Sequence, residues 1–226
     1  MDIPFSPEQF LNLFETYNHF IQPLQIIAYI LGLLSILFLF RKNKITPKII
    51  TGILATFWIW IGFFYHILFF SSINKAAYLF GSLFIIQGFF FMYTGIIRRK
   101  LDFHIEWNIT TISGFIIILY AMIIYPILNI LLGHSYPRMP VFGVTPCPTT
   151  IFTFGFILFI KNKMRTPQAY TTSTISCQTY FIWPIISNIG IYIAIIIPPI
   201  MIPINTMTIG SINEVKADTA ASTSSS

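Results

Sequence analysis

Charged residues are scarce in this chain of 226 residues. Asp, Glu, Lys and Arg make up 9% of it, whereas a soluble globular domain carries about 25%. So few charges could not cover a water-facing surface without large exposed apolar patches. Because 55% of the residues are apolar or aromatic, including 24 Phe, 11 Tyr and 4 Trp, the sequence predicts a protein whose solvent is lipid.

Cysteine and the common catalytic motifs are also nearly absent. The two cysteines, Cys147 and Cys177, are too few for a disulfide framework. The start, MDIPFSPEQF, lacks the features of a cleavable signal, so we expect the first apolar run to stay in the mature chain. HExxH, GxSxG, a Walker loop and GxGxxG do not occur. We therefore predict no cofactor and no resident metal, and an enzyme is not the favoured interpretation.

Six uncharged apolar stretches approach the roughly 20 residues that a helix needs to cross about 30 Å of hydrocarbon. Each should be helical, because lipid offers the backbone no hydrogen bonds. We predict an all-α, polytopic transmembrane helix bundle in one domain over residues 1–203, followed by a polar, disordered tail over 204–226. The predicted spans are residues 21–40, 49–70, 77–97, 109–132, 143–160 and 179–203.

The loops between the stretches alternate in charge. Ten Lys and Arg residues follow the first, third and fifth predicted spans, and three lie on the other side. By the positive-inside rule, the loops rich in basic residues are cytoplasmic and both termini are extracytoplasmic. The basic residues form no stripe on a soluble face, so the net charge of +6 does not predict nucleic-acid binding. The ten are Arg41, Lys42, Lys44, Lys48, Arg98, Arg99, Lys100, Lys161, Lys163 and Arg165, and the three are Lys75, Arg138 and Lys216.

A short helix is predicted before the first span. Ser6 and Gln9 have the spacing of a capping box, with Pro7 between them at the first helical position. Apolar residues then recur at helical spacing from Phe10 to Phe20. This pattern indicates an amphipathic helix on the outer surface, broken before Pro23. The alternative is that it simply extends the first span.

Small and polar residues form stripes on two predicted spans. On the third span the stripe consists of glycines spaced by seven, which let another helix approach closely. The fourth span has a mixed stripe that should face the bundle interior. Helix packing explains both stripes, and a polar pathway is the alternative for the second. The stripes are Gly81, Gly88 and Gly95, and then Gly114, Ala121, Tyr125 and Asn129.

The outer segment 133–150 (GHSYPRMPVFGVTPCPTT) is the most unusual stretch. Four prolines and two glycines restrict its shape, so we expect a fixed cap near His66. Its chemistry-bearing side chains form a candidate polar site with His66, Tyr125 and Asn129. A rigid turn without a ligand is an equal alternative, and a metal site is a minor one. The side chains of the segment are His134, Tyr136, Arg138 and Cys147.

Three stretches are familiar: IPFSPEQFLNLFETYN, YHILFFSSINKAAYLFGSLFIIQG and GHSYPRMPVFGVTPCPTTIFTFG. Together they resemble a bacterial family of multi-pass membrane proteins, domain-of-unknown-function family 6064. The resemblance covers roughly residues 3–160 and implies location in a bacterial inner membrane. It carries over no catalytic or binding residues. The C-terminal part departs from the family's pattern, because relatives carry a further apolar hairpin there.

Three functions are consistent with these observations. The first is a small-molecule or ion permease, with residues 133–150 and His66 lining an outer opening. The second is a membrane redox or metal-dependent enzyme using His66, His134 and Cys147. The third is a non-catalytic component that assembles with itself or a membrane protein partner through the glycine stripe of the third span. In each case the lipid bilayer is a partner.

Overall fold

The computed structural model describes residues 5–41 and 43–160, and in them the predicted all-α class is confirmed. The helices pack without any sheet in this part of the chain, where Phe103 and Ile160 form an isolated antiparallel bridge. The predicted span 179–203, the tail 204–226 and Cys177 lie outside the described residues. The six helices are α1 (Pro7–Phe20), α2 (Leu24–Leu39), α3 (Thr46–Ser72), α4 (Ala77–Ile97), α5 (Ile109–Leu131) and α6 (Pro146–Ile157).

Helix α1 begins with the predicted capping box. The Ser6 hydroxyl accepts from the Gln9 N–H, and the Gln9 side chain accepts from the Ser6 N–H. The axis turns by 84° between α1 and α2, so α1 does not continue α2 in a straight line. On its inner face Phe10, Leu13, Phe14 and Tyr17 are buried, and the rings of Phe10 and Tyr17 contact those of α3, whereas Phe20 is exposed.

Three helices are long and apolar enough to cross a membrane, and a fourth candidate appears if the bent pair of α1 and α2 counts as one span. The three are α3, α4 and α5, which coincide with the second, third and fourth predicted spans. The stretch 143–160 differs from its prediction, because its helix α6 has 12 residues and is therefore about 18 Å long. Gly143 adopts a left-handed conformation, with φ 79°, and helix formation begins only at Pro146.

The predicted glycine stripe of α4 lies against α3. A Cβ on Gly81 would come within 2.7 Å of the Gly62 carbonyl oxygen, and a Cβ on Gly62 equally close to that of Gly81. Further along the stripe, a Cβ on Gly88 would meet Ile59 at 2.5 Å. The chain's own helix therefore occupies this face.

Helix α5 lies at the edge of the bundle and packs on α6. A Cβ on Gly114 would lie 3.0 Å from the Gly155 carbonyl oxygen, and Ala121 is fully buried. In the most apolar 18-residue segment of α5, 17% of the segment is buried, compared with 56% in the corresponding segment of α3. Helix α3 is therefore central and carries the aromatic core, in which Trp58 stacks on Phe84 with ring centroids 4.6 Å apart.

Candidate functional site

Residues 133–145, which we call the cap loop, fold into one end of the bundle. Its second half, Val141 to Thr145, is buried, and Phe142 is fully buried. The Phe142 ring contacts the rings of Phe57 and Phe152, with ring centroids 5.8 and 4.8 Å apart. The second half of the cap loop is thus part of the core.

Helix α1 holds the cap loop by hydrogen bonds from buried side chains. The Asn18 amide donates to the carbonyl oxygens of Pro137 and Met139, at 2.6 and 2.8 Å. The Tyr17 hydroxyl donates to the Val144 carbonyl at 2.8 Å and accepts from Trp60 Nε1 at 3.1 Å. Burial raises the pKa of the Tyr17 phenol well above its ordinary value, so the hydroxyl keeps the proton that it donates.

Arg138, a predicted site residue, joins the cap loop to α1. Its guanidinium lies 3.3 Å from the Glu8 carboxylate and 3.2 Å from that of Glu15. It also donates to the Asn12 side-chain oxygen. Its charge is therefore matched within the fold, and its role in this structure is to fix the cap loop.

Three predicted site residues come together where α5 meets α6. The Tyr125 side chain lies next to the side chains of Cys147 and Asn129 and interacts with both. The Asn129 amide also donates to the Tyr125 carbonyl at 2.8 Å. Because Tyr125 and Cys147 are 22 positions apart in sequence, the cap loop between them creates this polar cluster.

His66 lies in a different environment, among aromatic rings. It is fully buried, and its ring centroid is 5.0 Å from that of Phe84 and 5.2 Å from that of Tyr65. His134 and Tyr136 lie on the cap loop, and Tyr136 is 41% exposed. The structure thus divides the predicted site among a polar cluster, an aromatic environment and a surface loop.

The described part of the chain contains no group of three His, Cys, Asp or Glu side chains that could hold a metal ion. His66, His134 and Cys147 are among the residues searched. The metal site considered from the sequence has no geometric support there.

A threonine ladder on α6 was not predicted from the sequence. Thr153 Oγ1 donates to the Thr149 carbonyl, and Thr149 Oγ1 donates to the Thr145 carbonyl, each at 2.8 Å. Trp58 Nε1 donates to Thr153 Oγ1 at 3.0 Å, and the Gly143 N–H donates to Thr149 Oγ1 at 3.0 Å. The signal was present as threonine at every fourth position, which places the hydroxyls on one helix face.

This arrangement is chemically suited to rigid positioning. The polar side chains of α1 and α6 are mainly used to fix the cap loop and to join α6 to α3. Tyr125 and Cys147 supply a phenol and a thiol in contact, without a neighbouring carboxylate or imidazole among the groups that interact with Tyr125.

Comparison with known proteins gives a family and no activity. No curated protein and no solved structure matches the chain. The model of a family of unknown function, DUF6064, matches residues 7–167, which is more than half of the chain and includes every helix described above. The chain therefore belongs to the DUF6064 family.

Proposed function

We propose that the chain is a multi-pass integral membrane protein that acts as a non-catalytic component of a membrane assembly. The observation that carries the membrane placement is the outward face of α5, where large apolar side chains are exposed. In water such a face would drive aggregation, whereas lipid solvates it. The exposed residues include Ile112, Ile116, Leu119, Ile123 and Ile127.

The cap loop is proposed to face the extracytoplasmic side of a bacterial inner membrane. The support is the distribution of charge: the opposite end of the bundle carries Arg41 and Lys44 before α3 and Arg98 to Lys100 after α4. Basic residues at the ends of spans favour the cytoplasmic side. Six crossings would also require residues 143–160 and 179–203 as spans, and the second of these lies outside the described residues.

The packing of the described helices supports an assembly component over the other two functions. The reciprocal contact of Gly62 with Gly81 leaves no room between α3 and α4 for a polar path. The same contact means that a partner cannot use the glycine stripe, as the sequence had suggested. The surface that we propose for a partner is instead the cap loop, where Ser135 and Tyr136 are exposed.

Topology can be tested with an impermeant thiol reagent on intact cells. In a Cys147→Ser, Cys177→Ser background, Ser135→Cys should label from outside, and Lys44→Cys should label only after permeabilisation. Both positions are exposed. Labelling of Lys44→Cys in intact cells, with Ser135→Cys protected, would invert the orientation. Release of the protein by alkaline carbonate would contradict integral insertion.

Assembly can be tested with a photo-crosslinking amino acid placed at Tyr136. The control position is Phe89, which is 58% exposed on α4 and should face lipid. Discrete adducts from position 136 with none from 89 support an assembly that uses the cap loop. Absence of adducts at both positions would count against it.

A small-solute permease is the second candidate, because of a buried amide on α4. Gln87 Nε2 is buried and has no hydrogen-bond partner in the described residues, which is costly unless a water or a solute binds there. Solute-driven shrinkage of proteoliposomes tests it with glycerol and urea. Flux above that of empty liposomes, reduced by Gln87→Leu, would favour a permease, and its absence would remove this candidate.

A further inference from the structure

Basic side chains gather at the end of the bundle opposite the cap loop. They come from the loop before α3 and from the end of α4. The register of these helices brings the two groups together, because a Cβ on Gly52 would lie 3.9 Å from the Ile96 side chain. The residues are Lys44, Lys48, Arg98, Arg99 and Lys100, which we call the basic edge.

Three carboxylates of the described residues have partners outside the basic edge. Asp102 pairs with His104, and Glu8 and Glu15 pair with Arg138. None of these pairs involves the basic edge. Its side chains are exposed, apart from half-buried Lys48.

Arg99 has an unusual backbone conformation for a residue with a side chain. Arg99 has φ 50°, in the left-handed region where glycine is the default residue at a helix end. The Lys100 N–H then donates to the Thr94 carbonyl at 3.0 Å and closes the helix. A glycine at position 99 would adopt this φ without strain, so the presence of arginine here costs conformational energy.

Arg98 is fixed differently and lies along the helix surface. Its Nε donates to the Tyr93 hydroxyl at 2.7 Å, and its guanidinium is 5.2 Å from the centroid of that ring. Near the same end of the bundle, Trp107 is 84% exposed and Ile97 is 69% exposed. Exposed aromatic and apolar groups beside basic ones suit the boundary between headgroups and acyl chains.

We propose that the basic edge is a binding site for the phosphate of an anionic phospholipid headgroup. Lys48, Arg99 and Lys100 supply the charge, because guanidinium and ammonium groups are the usual protein partners of phosphate. The exposed Trp107 and Ile97 favour a lipid over free phosphate, which has no acyl chain to contact them. This inference rests on the membrane placement proposed above.

The test is native mass spectrometry of protein released from nanodiscs that contain equal amounts of phosphatidylcholine and phosphatidylglycerol. Wild-type protein should retain phosphatidylglycerol in preference. Each basic residue near an anionic surface contributes about fivefold to binding. The double variant Lys48→Gln, Lys100→Gln should therefore lower the preference by about 25-fold. The charge-retaining variant Lys48→Arg, Lys100→Arg should keep it, as should Lys75→Gln at the other end.

An unchanged preference in the folded Gln double variant would overturn the proposal, and so would an equal loss in Lys75→Gln. Displacement of the lipid by inorganic phosphate at constant ionic strength would show a site for free phosphate instead. Failure of the wild-type chain to enter nanodiscs would overturn the membrane placement, and the site with it. Incorporation and lipid preference are separate readouts, so the two failures are distinguishable.

Discussion

Replacing Tyr17 with Phe should destabilise the protein more than any other loss of a single hydroxyl on the cap side. The hydroxyl is fully buried and makes two hydrogen bonds, to the Val144 carbonyl and from Trp60 Nε1. The helical i+4 donor cannot replace this bond to the Val144 carbonyl, because the residue four positions on is Pro148, which has no N–H. Each buried polar group left without a partner costs about 1–3 kcal/mol.

For Tyr17→Phe we therefore expect a loss of roughly 2–4 kcal/mol in the free energy of unfolding. The measurement is denaturant-induced unfolding of the purified protein in detergent, followed by tryptophan fluorescence. In a Trp60→Phe background the loss should shrink by about 1 kcal/mol, because one partner is already gone. Tyr136→Phe is the matched control, since this exposed ring should tolerate the change within about 0.5 kcal/mol. A loss for Tyr17→Phe no larger than that of the control would refute the reasoning.

Two further substitutions test the interior with the same unfolding assay. Gly81→Ala should cost about 1–3 kcal/mol by overpacking, because its Cβ would meet backbone at 2.7 Å. Gly52→Ala, whose Cβ would have 3.9 Å of clearance, should be neutral or stabilising. Equal effects of the two substitutions would contradict the close crossing of α3 and α4. Thr153→Val should cost about 1–3 kcal/mol, because it removes the hydrogen-bond acceptor of Trp58 Nε1. At the exposed Thr56, the same substitution should change stability by less than about 0.5 kcal/mol. If Thr153→Val left the stability unchanged, the threonine ladder would not be a stabilising element.

The elements that could be predicted from sequence are those fixed by local physics. The capping box needs only Ser6 and Gln9, three positions apart on the chain, and it forms as predicted. The helices Ala77–Ile97 and Ile109–Leu131 end within one residue of the predicted limits, because charged or flexible residues bound each apolar run. The helix within the stretch 143–160 is shorter than predicted, because hydropathy does not register the turn at Gly143, where the chain is still completing the cap loop.

The candidate site could be predicted only in part, because sequence gives the face of a helix and not the element that it meets. Tyr125 and Cys147 are in contact, since the cap loop returns the chain to α5. His66, expected beside them, turns toward Phe84. Arg138 was predicted as a residue of the polar site, and its ion-pair partners Glu8 and Glu15 are more than a hundred positions away in sequence but adjacent in space.

The glycine stripe shows the same limit and bears on function. A spacing of seven correctly places Gly81 and Gly88 on one helix face, and it is equally consistent with a partner protein or with a helix of the same chain. The structure selects the second, since Gly62 on α3 gives the complementary gap. A surface that is already filled by the chain's own helix cannot also bind a partner, so the assembly proposed above would need another surface. The cap loop, held by α1 yet exposed at Tyr136, is the surface that we propose for it.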